Sequence, residues 1–413
     1  MKNRVIYIIV AAIFLASACI DRSYRVTGVR IDQNTVTINA GESMMLTATV
    51  IPANAHEQTI YWRSENPEIV NVENGRITAL RGGETRIQVS TKESEFYAWC
   101  QVMVTFTGTW AQKANVPGAR HSAVGFSIGN KGYVGLGRDG GTLRQDFWEY
   151  DPVTNNWTQK ADFPGGVREY AIGFSIGNKG YVGTGLQWWG SRHQDFWEYD
   201  PDTDTWTQKA NFPGGNRSGA VGFSIGNKGY VGTGDDGNNR HQDFWEYDPA
   251  SNVWTRRANF GGSVRSWAAG FSIGNRGYLG VGSSSGYSHY QDFWEYDPVS
   301  NRWTQKADFQ GDVIREYGYY YGYHSSRDWS VGFSIGNKGY IATGCPGSQN
   351  YFQDVIEYDP VSNSWIQKAD FAGGIRNRAV GFSIGNKGYI GTGNIDGSET
   401  TGAGRQDFWE FSP

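Results

Sequence analysis

One arginine precedes the first glycine of a Gly-Phe-Ser-Ile-Gly segment by five residues, and the chain repeats this at Arg120, Arg168, Arg217, Arg265, Arg327 and Arg376. A Gln-Asp pair recurs with the same regularity and supplies Asp146, Asp195, Asp243, Asp292, Asp354 and Asp407. A guanidinium is a planar fork of donors that grips a carboxylate or sulfate through two parallel hydrogen bonds. These arginines can therefore face a ligand, or they can bridge to the aspartates of their own repeats. Aromatic side chains and histidines crowd the neighbouring stretches, among them Trp188, Trp189, Trp267, Tyr290, Tyr323, His193 and His241. Aromatic faces beside Asn, Asp and Arg suit stacking on a sugar ring, and suit a protein hot spot equally. Together with the six arginines, these seven residues form the candidate ligand-binding set. Two imidazoles with no third ligand make a poor transition-metal site. Asp235-Asp236-Gly237-Asn238 reads as well as a turn as it does as a calcium loop. No metal, cofactor or catalytic residue is assigned.

The elements that must position these residues form a repeat. The Gly-Phe-Ser-Ile-Gly segments begin at Gly125, Gly173, Gly222, Gly270, Gly332 and Gly381, at intervals of 48, 49, 48, 62 and 49 residues. The long interval carries an insertion of about 13 residues between Asp308 and Asp328. Each unit predicts four strands: a over Ser122 to Ile128, b over Gly132 to Gly135, c over Phe147 to Tyr150 and d over Trp157 to Lys160 in the first. Four short strands at this period, rich in Gly and Trp, predict a β-propeller blade. The sixth unit ends at Pro413 without a strand d, while Thr109 to Ala114, just before the first unit, matches one, so this strand is expected to complete the last blade. The a–b and c–d turns barely change between units, whereas the b–c and d–a loops differ almost everywhere. Loops that diverge on a repeated scaffold are where recognition is expected. The arginines, lying just before the innermost strand, are expected to ring the channel mouth on that variable edge.

The spacings Tyr150/Trp157, Tyr199/Trp206, Tyr247/Trp254, Tyr296/Trp303 and Tyr358/Trp365 resemble Kelch repeats. The double glycine of that motif is altered here to Gly-X-Gly, as in Gly183-Thr184-Gly185. The resemblance implies a propeller of the class shared by Kelch-type binding proteins, galactose-oxidase-like enzymes and sialate mutarotases. It leaves function to the loops. Copper-oxidase chemistry of that kind needs a tyrosine cross-linked to a cysteine, and Cys345 is the only propeller cysteine, with no evident Tyr partner; those oxidases also have seven blades. Mutarotase-like chemistry needs a general acid and base near an anion-binding arginine. Arg168-Glu169 or Arg315-Glu316, with His193 or His241, supply those types in principle.

Ahead of the repeats, short alternating strands run from Tyr24 to about Thr107. Ala40-Gly41-Glu42 before Leu46-Thr47-Ala48-Thr49, Trp62 with Asn66-Pro67, and Gly75-Arg76-Ile77-Thr78-Ala79-Leu80 resemble the bacterial Ig-like group 2 domain. Lys2 and Arg4 precede an apolar run from Val5 to Ala16, too short to span a bilayer as a helix of roughly 20 residues. Leu15-Ala16-Ser17-Ala18-Cys19 resembles a lipoprotein box, which makes Cys19 the expected lipidation site. The expected organisation is a signal peptide (1–18), a lipidated linker (19–23), an Ig-like domain (24–107) and a propeller (108–413). The fold class is all-β: a six-bladed Kelch-type propeller with an N-terminal Ig-like β-sandwich. A net charge of −4 excludes a broad basic face for nucleic acid, and 15% aromatics exclude a disordered chain. The expected function is an exported, lipid-anchored binding protein of the cell envelope, an outer-membrane lipoprotein facing periplasm or surface. Its partner is a glycan, neutral or acidic, or an extracellular protein. The chain is expected to be a monomer that touches the membrane only through its anchor. An adhesive module and a sugar epimerase of the mutarotase kind are the alternatives.

Overall fold

The computed structural model describes residues 25–92, 95–284, 288–311, 326–346, 351–395 and 403–413. The chain divides into two compact units. In the first, strands Thr35–Asn39, Tyr97–Thr105, Gly83–Thr91 and Ile60–Ser64 form one antiparallel sheet, and Ser43–Met45, Arg76–Ala79 and Val70–Glu73 form a second. Side chains alternate along each strand, as a half-buried sheet requires. Ile87, Val89, Cys100 and Val102 point inward, whereas Arg86 and Met103 face solvent. Burial pushes the Cys100 thiol up to about 11, with a smaller contribution from Asp32, so it acts as a small apolar core residue. This is an Ig-like β-sandwich.

The second unit is a six-bladed propeller, each blade a four-stranded antiparallel sheet. Blade 1 runs a Val124–Ile128, b Lys131–Gly135, c Phe147–Asp151 and d Asn156–Lys160. The innermost strands neighbour one another around the ring, with Val124–Ile128 lying between Ile172–Ile176 of blade 2 and Val380–Ile384 of blade 6. Blade 6 takes its outer strand from Thr109–Lys113, which pairs with Phe408–Ser412 from Thr109↔Ser412 to Lys113↔Phe408.

The repeated residues account for this packing. Phe126 of blade 1 lies against strands a and b of blade 2, where a Cβ on Gly180 would stand 2.6 Å from its ring. Glycine in the strands thus lets neighbouring blades approach. The Tyr-to-Trp pair is a stitch between blades. Tyr150 Oη donates to Asn155 Oδ1 (2.9 Å), which also accepts from Ala114 N, and Trp157 Nε1 donates to Ala114 O (2.9 Å). The tryptophan bond repeats around the ring and returns to its start at Trp110 Nε1 and Ala369 O (3.1 Å). The strand-c tryptophans are blade packing, as their repetition suggests: Trp148, Trp197, Trp245, Trp294 and Trp409 each donate to the aspartate two residues earlier.

Candidate functional site

The six arginines do not line the channel mouth. Each is 0–1% exposed and lies inside its blade. Arg120 bonds both oxygens of Asp146 (2.9 and 2.7 Å), and its Nη1 also reaches the carbonyl of Leu136. The same clamp joins Arg168 to Asp195 and Thr184, Arg265 to Asp292 and Val281, Arg327 to Asp354 and Thr343, and Arg376 to Asp407 and Thr392. Arg217 bonds Asp243 and the carbonyl of Thr233 in like manner. Phe163, Phe212, Phe260, Phe309 and Phe371 cover the guanidiniums of blades 2 to 6 from the d–a loops. Burial raises the carboxyls of Asp146 and Asp407, but their arginine and tryptophan partners outweigh it and hold both below the usual range. The expectation of a ligand-binding arginine rim is corrected on this geometry: these side chains are spent on their own blades. The clamp also explains Gly-X-Gly, since the middle residue, at φ between +52° and +61°, presents the carbonyl that the arginine holds.

The mouth is lined by the residues two positions further on: Ser122, Tyr170, Gly219, Trp267, Trp329 and Arg378. Each has a positive φ, between +50° and +60°. For Tyr, Trp and Arg this is an uncommon conformation, which the surrounding structure must hold. What holds it is a closed belt of backbone hydrogen bonds. Tyr170 N donates to Ser122 O (3.0 Å), Gly219 N to Tyr170 O (3.1 Å) and Trp267 N to Gly219 O (2.9 Å). Trp329 N to Trp267 O (3.2 Å), Arg378 N to Trp329 O (3.0 Å) and Ser122 N to Arg378 O (2.9 Å) complete the circle. A cavity of about 130 Å³ opens on the axis inside this belt, floored by Ala123, Ala171, Ala220, Ala268, Ser330 and Ala379.

Small residues at 122 and 219 let the large ones meet across the mouth. The Trp267 and Trp329 ring centroids are 5.1 Å apart, and Tyr170 lies 6.5 Å from Trp267 across Gly219. The Arg378 guanidinium stands 4.2 Å from the Trp329 ring and 5.9 Å from Tyr170, while Arg240 covers Trp267 at 4.8 Å. Buried polar residues surround this group. Arg138 pairs with Glu169 (2.9 Å), Arg192 with Asp235 (2.6 Å), and Ser283 donates to Asp328 (2.9 Å).

Of the described residues in the candidate set, only Trp267 lines this cavity. Tyr290 lies outside its wall and covers the buried Arg265 guanidinium at 4.3 Å, so its role is packing. His193 and His241 do not converge on a shared ligand; each bonds within its own b–c loop, to Gln187 (3.1 Å) and Asp236 (2.9 Å). Burial, then the Arg168 charge, lowers the His193 pKa. Trp188 is on the rim, 40% exposed and 5.4 Å from the Arg138 guanidinium. Trp189 shares its short 3-10 turn, Trp188–Gly190. Tyr323, most of the 308–328 insertion and Cys19 fall outside the described residues. Asp236 accepts from the Asn238 and Asn239 amides, which makes that stretch a turn. Among the described residues no three His, Cys, Asp or Glu side chains group as a metal site.

Comparison with known proteins bears on each unit separately. Residues 25–102 match the bacterial Ig-like domain (group 2). An uncharacterized protein of Clostridium acetobutylicum is 37% identical over 83 residues, which is 20% of this chain and 21% of that one. The chain thus spans about a fifth of that relative. The solved structure of YjhT superposes with a TM-score of 0.59 over 72% of this chain and 95% of that chain, at 18% identity. At that identity the likeness is one of fold.

Proposed function

We propose that this protein is a binding protein whose propeller takes a glycan at the mouth of its axial channel. One observation carries the reading. The strands of the blades repeat one another nearly residue for residue, yet at the belt position just before the innermost strand they present Ser, Tyr, Gly, Trp, Trp and Arg around one cavity. A scaffold needs no such divergence there, and the belt holds those side chains in one arrangement. Aromatic faces with adjacent polar groups bind sugar rings by shape and stacking.

A sugar epimerase would need an acid and a base at the cavity. The carboxylates next to its wall in sequence, Glu169 and Asp328, are buried and engaged, Glu169 by Arg138 and Asp328 by Ser283 and His289. That arrangement favours binding over turnover. The Ig-like domain and the Cys19 box support display on the cell envelope through a lipid, which loss of Cys19→Ala from the membrane fraction would establish.

The test is a glycan array probed with the full chain beside a Trp267→Ala/Trp329→Ala variant of unchanged melting temperature. Glycan binding that the variant loses is the expected result. Binding that survives places the site elsewhere on the loops, and binding to no glycan favours a protein partner.

A further inference from the structure

We propose that the axial cavity is a subsite for an anionic group, a carboxylate or sulfate borne by the bound sugar. The inference rests on the glycan reading above and assigns the class of sugar. The cavity wall is rich in donors. Trp267 and Trp329 both line it, and the indole N–H of each is buried with no acceptor among the described residues. Arg378 belongs to the same wall and brings a positive charge against Trp329. Behind Trp267 stands Arg240, whose Nη1 is buried and likewise has no partner among the described residues. No carboxylate is among the described residues of the wall.

Buried donors without acceptors are unfavourable, and native proteins leave few of them. Several around one small cavity therefore point to a ligand that completes them. A neutral sugar hydroxyl is donor and acceptor at once, whereas a carboxylate or sulfate supplies acceptors alone. Hydrogen bonds to an ionised acceptor are also the shorter and stronger kind. Size agrees: about 130 Å³ is well below the roughly 300–1,000 Å³ of a cleft that engulfs a drug-sized ligand. It admits a substituent while the sugar ring rests on the aromatic faces above. The six clamp arginines take no part, because their Nη groups are held inside the blades by the aspartates and backbone carbonyls.

The experiment follows the indole N–H signals of Trp267 and Trp329 by nitrogen-15 NMR in the full chain, assigned with Trp→Phe variants. The probes are D-glucuronate, D-glucose, N-acetylglucosamine and inorganic sulfate. Glucuronate should shift both signals and bind at least about tenfold more tightly than glucose, with the advantage shrinking as salt is added. Arg378→Gln should erase that advantage while glucose binding persists. Trp329→Phe, which keeps an aromatic face and loses the donor, should weaken glucuronate more than glucose. Equal affinity for glucose and glucuronate, or preference for N-acetylglucosamine, would overturn the anion subsite and leave the glycan reading intact. Sulfate moving both signals while no sugar binds would support the subsite and remove the glycan reading.

Discussion

Arg376 and Arg378 are two residues apart in one loop and have opposite fates. Arg376 points into its blade, where Asp407 and the Thr392 carbonyl engage its two Nη groups and the Phe371 ring covers its charge. Arg378 sits on the belt, in the wall of the axial cavity, over the Trp329 ring. The first belongs to a set of identical side chains and the second to a set of dissimilar ones. In a closed repeat, sameness marks what each blade needs for itself, and difference marks where the blades jointly face something else. The six-fold arginine pattern is thus the scaffold, and the uneven belt beside it is the candidate site.

The comparison breaks most visibly at the clamp. Arg327 and Asp354 are both fully buried, and blade 5 has Ile356 where other blades offer a tryptophan to the aspartate. Arg327→Ala removes one member of a buried ion pair and should cost about 3–5 kcal/mol in denaturant unfolding. A loss under about 1 kcal/mol would mean the clamps are not the scaffold. Acid should find the same weakness. The carboxyls of Asp146 and Asp407 lie below 3.8 in the folded chain, so their stabilisation is complete above that value and fades as pH falls through the folded values. Urea midpoints should therefore fall steeply below about pH 4, beyond the smaller decline that the lowered His193 pKa brings below about pH 6.5. A midpoint that rises on acidification would reverse the assignment.

The smallest change in stability should come from the belt. Gly219 has φ +60°, and a Cβ there would stand 2.6 Å from Trp267 Nε1. Gly219→Ala should cost only about 1–2 kcal/mol. Yet it pushes the Trp267 indole out of place and should abolish glycan binding in the array assay. Full binding by this variant would separate Trp267 from the site.

Much of the propeller was legible in the chain because a repeat writes the same physical requirement six times. The four-strand period, the unpaired sixth unit and the Trp110 strand all correspond to pairings in the closed ring. The Tyr-to-Trp spacing was legible as a motif, but not as a stitch between blades, because Ala114 and Trp157 lie far apart in sequence. The candidate site was legible only in part. Trp267 stood out as an aromatic, whereas Ser122 and Gly219 carry no chemistry that would single them out. A usable signal was present: the belt residue is a variable position held between the invariant arginine and a following Ala or Ser.

By itself, then, the amino-acid sequence determined the fold class, the number of blades and the edge on which variation is allowed. Those follow from periodicity and from local hydrogen-bonding needs that each unit satisfies in the same way. Only the tertiary structure decided which arginines are sealed and which residues face the axis. A left-handed turn two residues past each buried arginine brings the next side chain to the mouth. Six such turns, supplied by six blades, come together only when the ring closes.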